Sequence, residues 1–196
     1  MYTIAHTESI ILGGKSVGES DRLLYLYTRD HGLLFAQAKS VREGKSKLRY
    51  GLQFLSHAKV DLVQGKAGWK LISAEPVRSF SETLARPRHR RVAALYTTLV
   101  QRLVQGEEAH AELFVRLIES LELLDGLPNE KHLDDVELLI VIRLLDLLGY
   151  WRTNEGEEQR YIQGACSMTD ELSEFIAKQR MSLTGRVNQA LRETQL

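Results

Sequence analysis

The sequence predicts an α+β protein, a small closed β-barrel of five strands followed by an all-α helical domain. Three observations lead there. Short runs of alternating polar and apolar residues, punctuated by glycine-bearing turns, fill the stretch from Met1 to about Phe80. Beyond Pro76 the apolar spacing changes to that of helices. The formal net charge of zero hides a division: 16 Lys+Arg against 8 Asp+Glu up to Arg91, and 10 against 18 from Val92 onward. A basic β half suited to a polyanion thus precedes an acidic helical half, and the two halves could equally attract each other, within one molecule or between copies.

Each element follows from its own pattern. Tyr2–Leu12 predicts the first strand, with Gly13-Gly14 as its closing turn. Arg22–Thr28 alternates, placing Leu24 and Leu26 on one face and Leu23, Tyr25 and Tyr27 on the other. Asp30-His31-Gly32 turns the chain into Leu33–Lys39. Phe54–Val63 and Trp69–Val77 form a final pair around Gln64–Gly68. Five short strands with one long loop suit an OB-type barrel, and SH3-like barrels give the same periodicity. Val92, Leu95, Tyr96, Leu99 and Leu103 fall at helical spacing, and Leu113–Leu124 forms a second stripe ending at Asp125-Gly126. Asn129–Leu148 is apolar nearly all round at Leu138–Ile142, as expected of the central helix of a bundle, with Gly149 as its stop. Trp151–Gly164 reads as a loop, followed by two weaker helices around Leu172–Ile176 and Val187–Leu191. The domain division expected is 1–80 for the barrel and 81–196 for the helices.

Composition sets the outer bounds. A chain of 196 residues with 43% hydrophobic content buries enough surface for a stable core. Cys166 is the lone cysteine, which excludes a disulfide framework or a four-cysteine zinc site within this sequence. The scattered histidines lack ligand spacing, so no metal and no cofactor is expected. The longest purely apolar run is Leu138–Ile142, and Met1–Leu12 lacks a signal-peptide layout, so no membrane partner and a cytoplasmic, nucleoid-associated location are expected.

The loop between the third and fourth strands carries the functional argument. Lys39, Arg42, Lys45, Lys47 and Arg49 stand in it with only Glu43 to offset them. Such loops grip phosphate backbones, although loop cations are also commonly solvated and idle. Lys66 and Lys70 in the last hairpin extend the charge, and Arg86, Arg88, Arg90 and Arg91 form a second cluster at the start of the first helix. Cations at a helix N-terminus oppose the macrodipole, so an anion there is one reading and a boundary displaced by a turn is the other. Tyr25, Tyr27, Phe35, Tyr50, Phe54 and Trp69 are the aromatics available for stacking on bases; most suit a barrel core, and Tyr50, beside Arg49, is expected at the surface. Gly18-Glu19-Ser20-Asp21-Arg22 suits a tight turn in which Glu19 or Asp21 pairs with Arg22. Serine-nucleophile, zinc-protease, phosphate-loop and dinucleotide motifs are all missing, so no catalytic residue and no enzyme is expected.

Gly18-Glu19-Ser20-Asp21-Arg22-Leu23-Leu24-Tyr25-Leu26, then Thr28–Leu34, then the basic loop, resembles the amino-terminal domain of the bacterial RecO family in order and spacing. Leu144-Leu145-Asp146-Leu147-Leu148-Gly149-Tyr150 is similar to that family's L-x-x-L-G-Y segment. The resemblance selects the OB-type barrel. It implies a non-enzymatic protein of recombinational repair that binds single- and double-stranded DNA and anneals complementary strands. With RecR it would help load RecA on DNA coated by single-stranded-DNA-binding protein. Many members follow the L-x-x-L-G-Y segment with a four-cysteine zinc module; with Cys166 alone there, the chain is similar to a short, zinc-lacking branch. RecR is expected on the barrel, and the acidic tail of single-stranded-DNA-binding protein in an apolar pocket of the helical domain, with Arg143 and Arg152 as candidate anchors. The competing classes are a protein–protein adapter with no direct DNA role and an RNA-binding OB module.

Overall fold

The computed structural model describes residues 3–41, 52–104, 106–154, 156–164 and 167–194. The chain divides into two compact units, Met1–Phe80 with Val104–Phe114, and Ser81–Leu103 with Val115–Leu196. Five strands, β1 (Thr3–Val17), β2 (Asp21–Thr28), β3 (Gly32–Ala38), β4 (Ser56–Gly65) and β5 (Gly68–Ser79), close into a barrel in the order β1-β2-β3-β5-β4. All neighbours are antiparallel except β3 and β5, which run parallel through Ala36↔Trp69 and Gln37↔Lys70. This is the five-stranded barrel of the OB type.

Closure depends on β1 serving two partners. Its first part pairs with β4, from Thr3↔Gln64 to Ile10↔His57, and its second with β2, from Ser9↔Thr28 to Val17↔Asp21. The register shifts between Ile11 and Gly13, where Gly13 adopts φ +150° and a Cβ on Gly14 would lie 2.6 Å from the Leu23 carbonyl oxygen. The expected turn at Gly13-Gly14 is therefore a β-bulge inside one long strand, a device that bends a sheet toward closure. The turn between β1 and β2 comes at Gly18–Ser20, where the Gly18–Arg22 motif is expected to make one.

Alternation fills the barrel as the sequence predicts. Leu24 and Leu26 point inward with Leu34, Val60, Leu62 and Leu71, and Trp69 joins them. Tyr27 is also fully buried, but on the outer face: it stacks on Phe114 at 6.4 Å and its hydroxyl donates to the His110 carbonyl at 3.4 Å. Burial pushes the Tyr27 phenol up to about 12. His57 meets the same Phe114 ring edge-on and Arg29 lies over it, so Phe114 and His110 cover this side of the barrel.

The helices are α1 (Ser81–Ala85), α2 (Pro87–Leu103), α3 (Ala111–Gly126), α4 (Leu133–Leu147), α5 (Glu157–Gln163) and α6 (Asp170–Glu193). α4 buries Val136, Leu139, Ile140 and Leu144 as expected of a central helix. It starts later than Asn129 because the Asn129 side chain accepts from the Lys131 amide, a local turn that competes with helix. Gly149 does end it, with backbone bonds back to Asp146 and from Tyr150 to Leu145. Two expectations fail. The polar stretch Trp151–Gly164 contains α5, which is held by contacts of Glu158 with residues distant in sequence. The two weak helices are one, α6, capped by the Thr169 hydroxyl accepting from the Leu172 amide.

Candidate nucleic-acid interface

The outer face of β2 and β3 is buried at Tyr27 and Leu33 but open around Phe35. Tyr25 and Phe35 oppose each other there across the two strands, with ring centroids 5.4 Å apart at 79°. Phe35 is 53% exposed, whereas the inward members of the same strands are buried. In the adjacent row the registers Lys15↔Leu23, Leu23↔Gln37 and Gln37↔Lys70 align four residues across β1, β2, β3 and β5. Since Leu24 and Trp69 face inward, this row faces outward. Lys15 and Lys70 at its two ends are exposed, and neither forms an ion pair among the described residues.

The family-like motif organises the rim of this face. Asp21 accepts from the Gln37 side-chain amide at 3.1 Å and from the Ser40 backbone amide at 2.9 Å. It therefore anchors the first residues of the basic loop, where Ser40 adopts φ +53°, instead of pairing with Arg22 as expected. Lys39, exposed, sits at that anchored base. Lys66 is exposed in the β4–β5 turn. Arg42, Lys45, Lys47, Arg49 and Tyr50 lie outside the described residues. Sequence reading missed Lys15, whose signal was its register opposite Leu23, and it set Tyr25 and Phe35 among core aromatics although strand parity places both outside.

The second cluster divides. Arg88 bonds Glu130 at 2.9 Å and Asp134 at 3.0 Å, and Arg86 bonds Glu82 and the Leu127 carbonyl. These two arginines brace the helical unit, and the cluster does stand at the start of a helix, with Pro87 opening α2. Arg90 and Arg91 remain exposed without an ion pair among the described residues. His89 between them is fully buried and neither ring nitrogen has a hydrogen-bond partner. Burial first, and then Arg86, hold its pKa below the ordinary histidine value.

Of the expected tail anchors, Arg143 does not qualify. It is 6% exposed and donates to the Tyr161 carbonyl at 2.7 Å, because α5 folds over the end of α4. Arg152 is exposed and lines a groove of about 460 Å³ with Tyr150, Arg186 and Gln189. A larger apolar groove of about 520 Å³ runs between α2, α4 and α6, lined by Leu95, Leu99, Leu138, Val141 and Leu191 together with Arg102, Arg180, Asp134 and Glu137.

On the opposite side of the barrel, Asp61 accepts from Ser73 and meets His6 Nδ1 at 2.5 Å. The Ser73 bond, then His6, lowers the Asp61 pKa. Here the carboxylate stands between serine and histidine. Nucleophile activation needs the imidazole in the middle, taking the hydroxyl proton. Among the described residues no group of three or more His, Cys, Asp or Glu is placed to hold a metal ion, and no helix is long and apolar enough to cross a membrane.

Comparison with known proteins agrees with the barrel. The family model described as Recombination protein O N terminal matches residues 1–80. The DNA repair protein RecO of Heliobacterium modesticaldum is 40% identical over 146 residues, covering 73% of this chain and 50% of that protein. Those of Desulfitobacterium hafniense and Dehalococcoides mccartyi are 29% and 32% identical, covering 75% and 74% of this chain and 52% and 56% of theirs. The chain thus spans about half the length of these curated relatives. An OB-type barrel, the Gly18–Arg22 turn and these matches lead to one conclusion: through its amino-terminal domain, the chain belongs to the RecO family of DNA repair proteins.

Proposed function

We propose that this is a non-enzymatic DNA-binding protein of recombinational repair, acting on the nucleoid in the cytoplasm. It anneals complementary strands and, with RecR, helps load RecA on single-stranded DNA coated by single-stranded-DNA-binding protein. The observation that carries the reading is the β2–β3 face of an OB-type barrel, edged by Lys15, Lys39 and Lys70 without acidic partners among the described residues. OB barrels bind oligonucleotides on that face. Residues 1–80 form the nucleic-acid domain and 81–196 the helical domain. The loop cations Arg42, Lys45, Lys47 and Arg49 add to the same surface, with Lys66 at the hairpin.

The mechanism is charge neutralisation. Two strands held against one cationic surface repel each other less, and their bases stay free to pair because phosphate contacts carry no sequence information. RecR docks on the barrel. The acidic tail of single-stranded-DNA-binding protein enters an apolar groove of the helical domain, with the exposed Arg152 as one anchor and Arg102, in the groove between α2, α4 and α6, in place of the buried Arg143.

Strand annealing measured with and without single-stranded-DNA-binding protein tests the reading. Faster annealing of complementary oligonucleotides, retained when the strands are coated, is expected. Annealing at the spontaneous rate in both arms refutes it and favours an adapter; annealing of RNA strands only favours an RNA-binding module.

A further inference from the structure

We propose that Phe35, braced by Tyr25, is a stacking platform for an unpaired base, so that the β2–β3 face distinguishes single strands from duplex. The inference rests on the DNA-binding reading above and adds a base contact to its phosphate contacts. Among the described aromatics of the barrel, Phe35 is the most open, at 53% exposure, while Tyr27 and Trp69 are buried. Its position is not slack. Strand pairing sets it directly opposite Tyr25, and the near-perpendicular packing at 79° fixes the ring without laying a second ring flat upon it. A base, which presents a π-face whatever its sequence, is the ligand such a ring takes.

Charge argues for a nucleic acid as the occupant over an apolar protein surface. The row beside the aromatic pair ends in Lys15 on β1 and Lys70 on β5, three strand spacings apart, or about 14 Å. A strand crossing the sheet meets one lysine, runs along Leu23 and Gln37 beside Tyr25 and Phe35, and meets the other. That span lies within the four or more nucleotides that an OB barrel covers. Leu23 and Gln37 fill the middle of the row with no negative charge, and the two Asp21 oxygens are engaged by the Gln37 side-chain amide and the Ser40 backbone amide. In duplex DNA the bases are stacked inside and meet no platform, so only the lysine contacts remain.

The test uses the full chain, Phe35→Leu, and three fluorescent probes: a 15-nucleotide oligo-dT, an abasic strand of equal length, and a 15-base-pair duplex. Phe35→Leu keeps exposed apolar bulk and removes the π-face. Binding to oligo-dT is expected to weaken roughly tenfold, with binding to the abasic strand and duplex, and the salt slope, unchanged. Phe35→Trp restores oligo-dT binding. Equal loss on all three probes, or no loss on oligo-dT, overturns the platform. If Lys15→Ala with Lys70→Ala lowers the salt slope while Phe35→Leu does nothing, the platform fails and the DNA-binding reading stands. If the wild-type chain binds none of the probes, that reading itself fails and takes the platform with it.

Discussion

Cationic side chains do different work in the two units. In the helical unit several arginines close ion pairs: Arg186 bonds both oxygens of the buried Glu158 at 2.8 and 2.9 Å, Arg180 meets the buried Asp135, and Arg88 meets Glu130 and Asp134 at the surface. On the barrel, Lys15, Lys39, Lys66 and Lys70 stand exposed with no such partner among the described residues. The residue types suit the roles. A guanidinium fork makes fixed, paired bonds, whereas an ammonium on a flexible stem is a point charge for a moving backbone. A run of positive charge in a sequence therefore does not locate a site until its acidic neighbours are known.

The sharpest way to test the structural half of this contrast is Arg186→Ala. Glu158 would keep its bonds from Trp151 at 3.0 Å and Asn154 at 2.8 Å but lose its countercharge while buried. A loss of about 3 kcal/mol in chemical denaturation is expected. Its pH dependence has a fixed sign. Burial opposes the Glu158 charge, but Arg186, Trp151 and Asn154 together hold its pKa below the usual range. A depressed carboxylate contributes stability above its unfolded pKa and loses it as pH falls through the folded value. The Arg186→Ala penalty should therefore be full at pH 7 and shrink below about pH 4. A penalty that is constant with pH would show that Arg186 acts by packing on Trp151 alone, over which it lies at 4.1 Å.

The barrel has its own point of fragility at Gly32. Its φ is +63°, and a Cβ there would lie 2.3 Å from the Glu108 carbonyl oxygen. Gly32→Ala should cost about 2 kcal/mol or more, from the left-handed backbone and the displaced segment 104–114. Weaker covering of Tyr27 should accompany it, read as faster tyrosine fluorescence quenching. A neutral Gly32→Ala would mean that residues 104–114 do not clasp the barrel.

Much of this was legible in the sequence, and the failures have physical causes. Inward and outward parity on β2 follows from alternation alone, and Gly149 marks the end of α4 because glycine closes a helix cheaply. Gly13-Gly14 misleads because a glycine pair signals both a turn and a bulge, and only closure of the barrel selects the bulge. α5 carries no apolar period of its own; Glu158 is positioned by Arg186, 28 residues away. Arg143 misleads similarly, since an arginine at the end of a central helix shows its burial only once α5 is placed. The site was half legible. Lys39, Lys66 and Lys70 are found by counting, whereas Lys15 and Phe35 need strand register, which a single sequence does not fix.

Moderate effects test the functional half. Replacing Lys15, Lys39 and Lys70 with Ala should lower the log–log salt slope for single-stranded DNA by about 2 units, at roughly 0.7 per phosphate contact. The same loss is expected on every sequence, with folding intact. In the helical unit, His89 sharpens the contrast through pH. Being buried and neutral in the fold, it takes up a proton on unfolding below about pH 6.5, so its contribution is full above that value and falls as pH falls. His89→Leu should flatten the stability profile between pH 7 and 5, and an unchanged profile would assign that acid sensitivity to other groups.

The smallest expected effect is the one that most directly opposes the two units. Arg88 stands in sequence in a basic cluster with Arg86, Arg90 and Arg91. Its two ion pairs are exposed at both ends, with Arg88 itself 54% exposed, and such pairs contribute about 0–1 kcal/mol. Arg88→Ala should therefore change stability by less than about 1 kcal/mol. It should also leave the salt slope for DNA where it was, because Glu130 and Asp134 already neutralise the charge that a phosphate would need. Arg90 and Arg91 differ in that no acid faces them among the described residues, and replacing that pair is the matched control. If Arg88→Ala alone lowers the slope by about 0.7, its acidic partners yield to phosphate. The distinction between paired and free cations would then no longer separate the helical unit from the barrel.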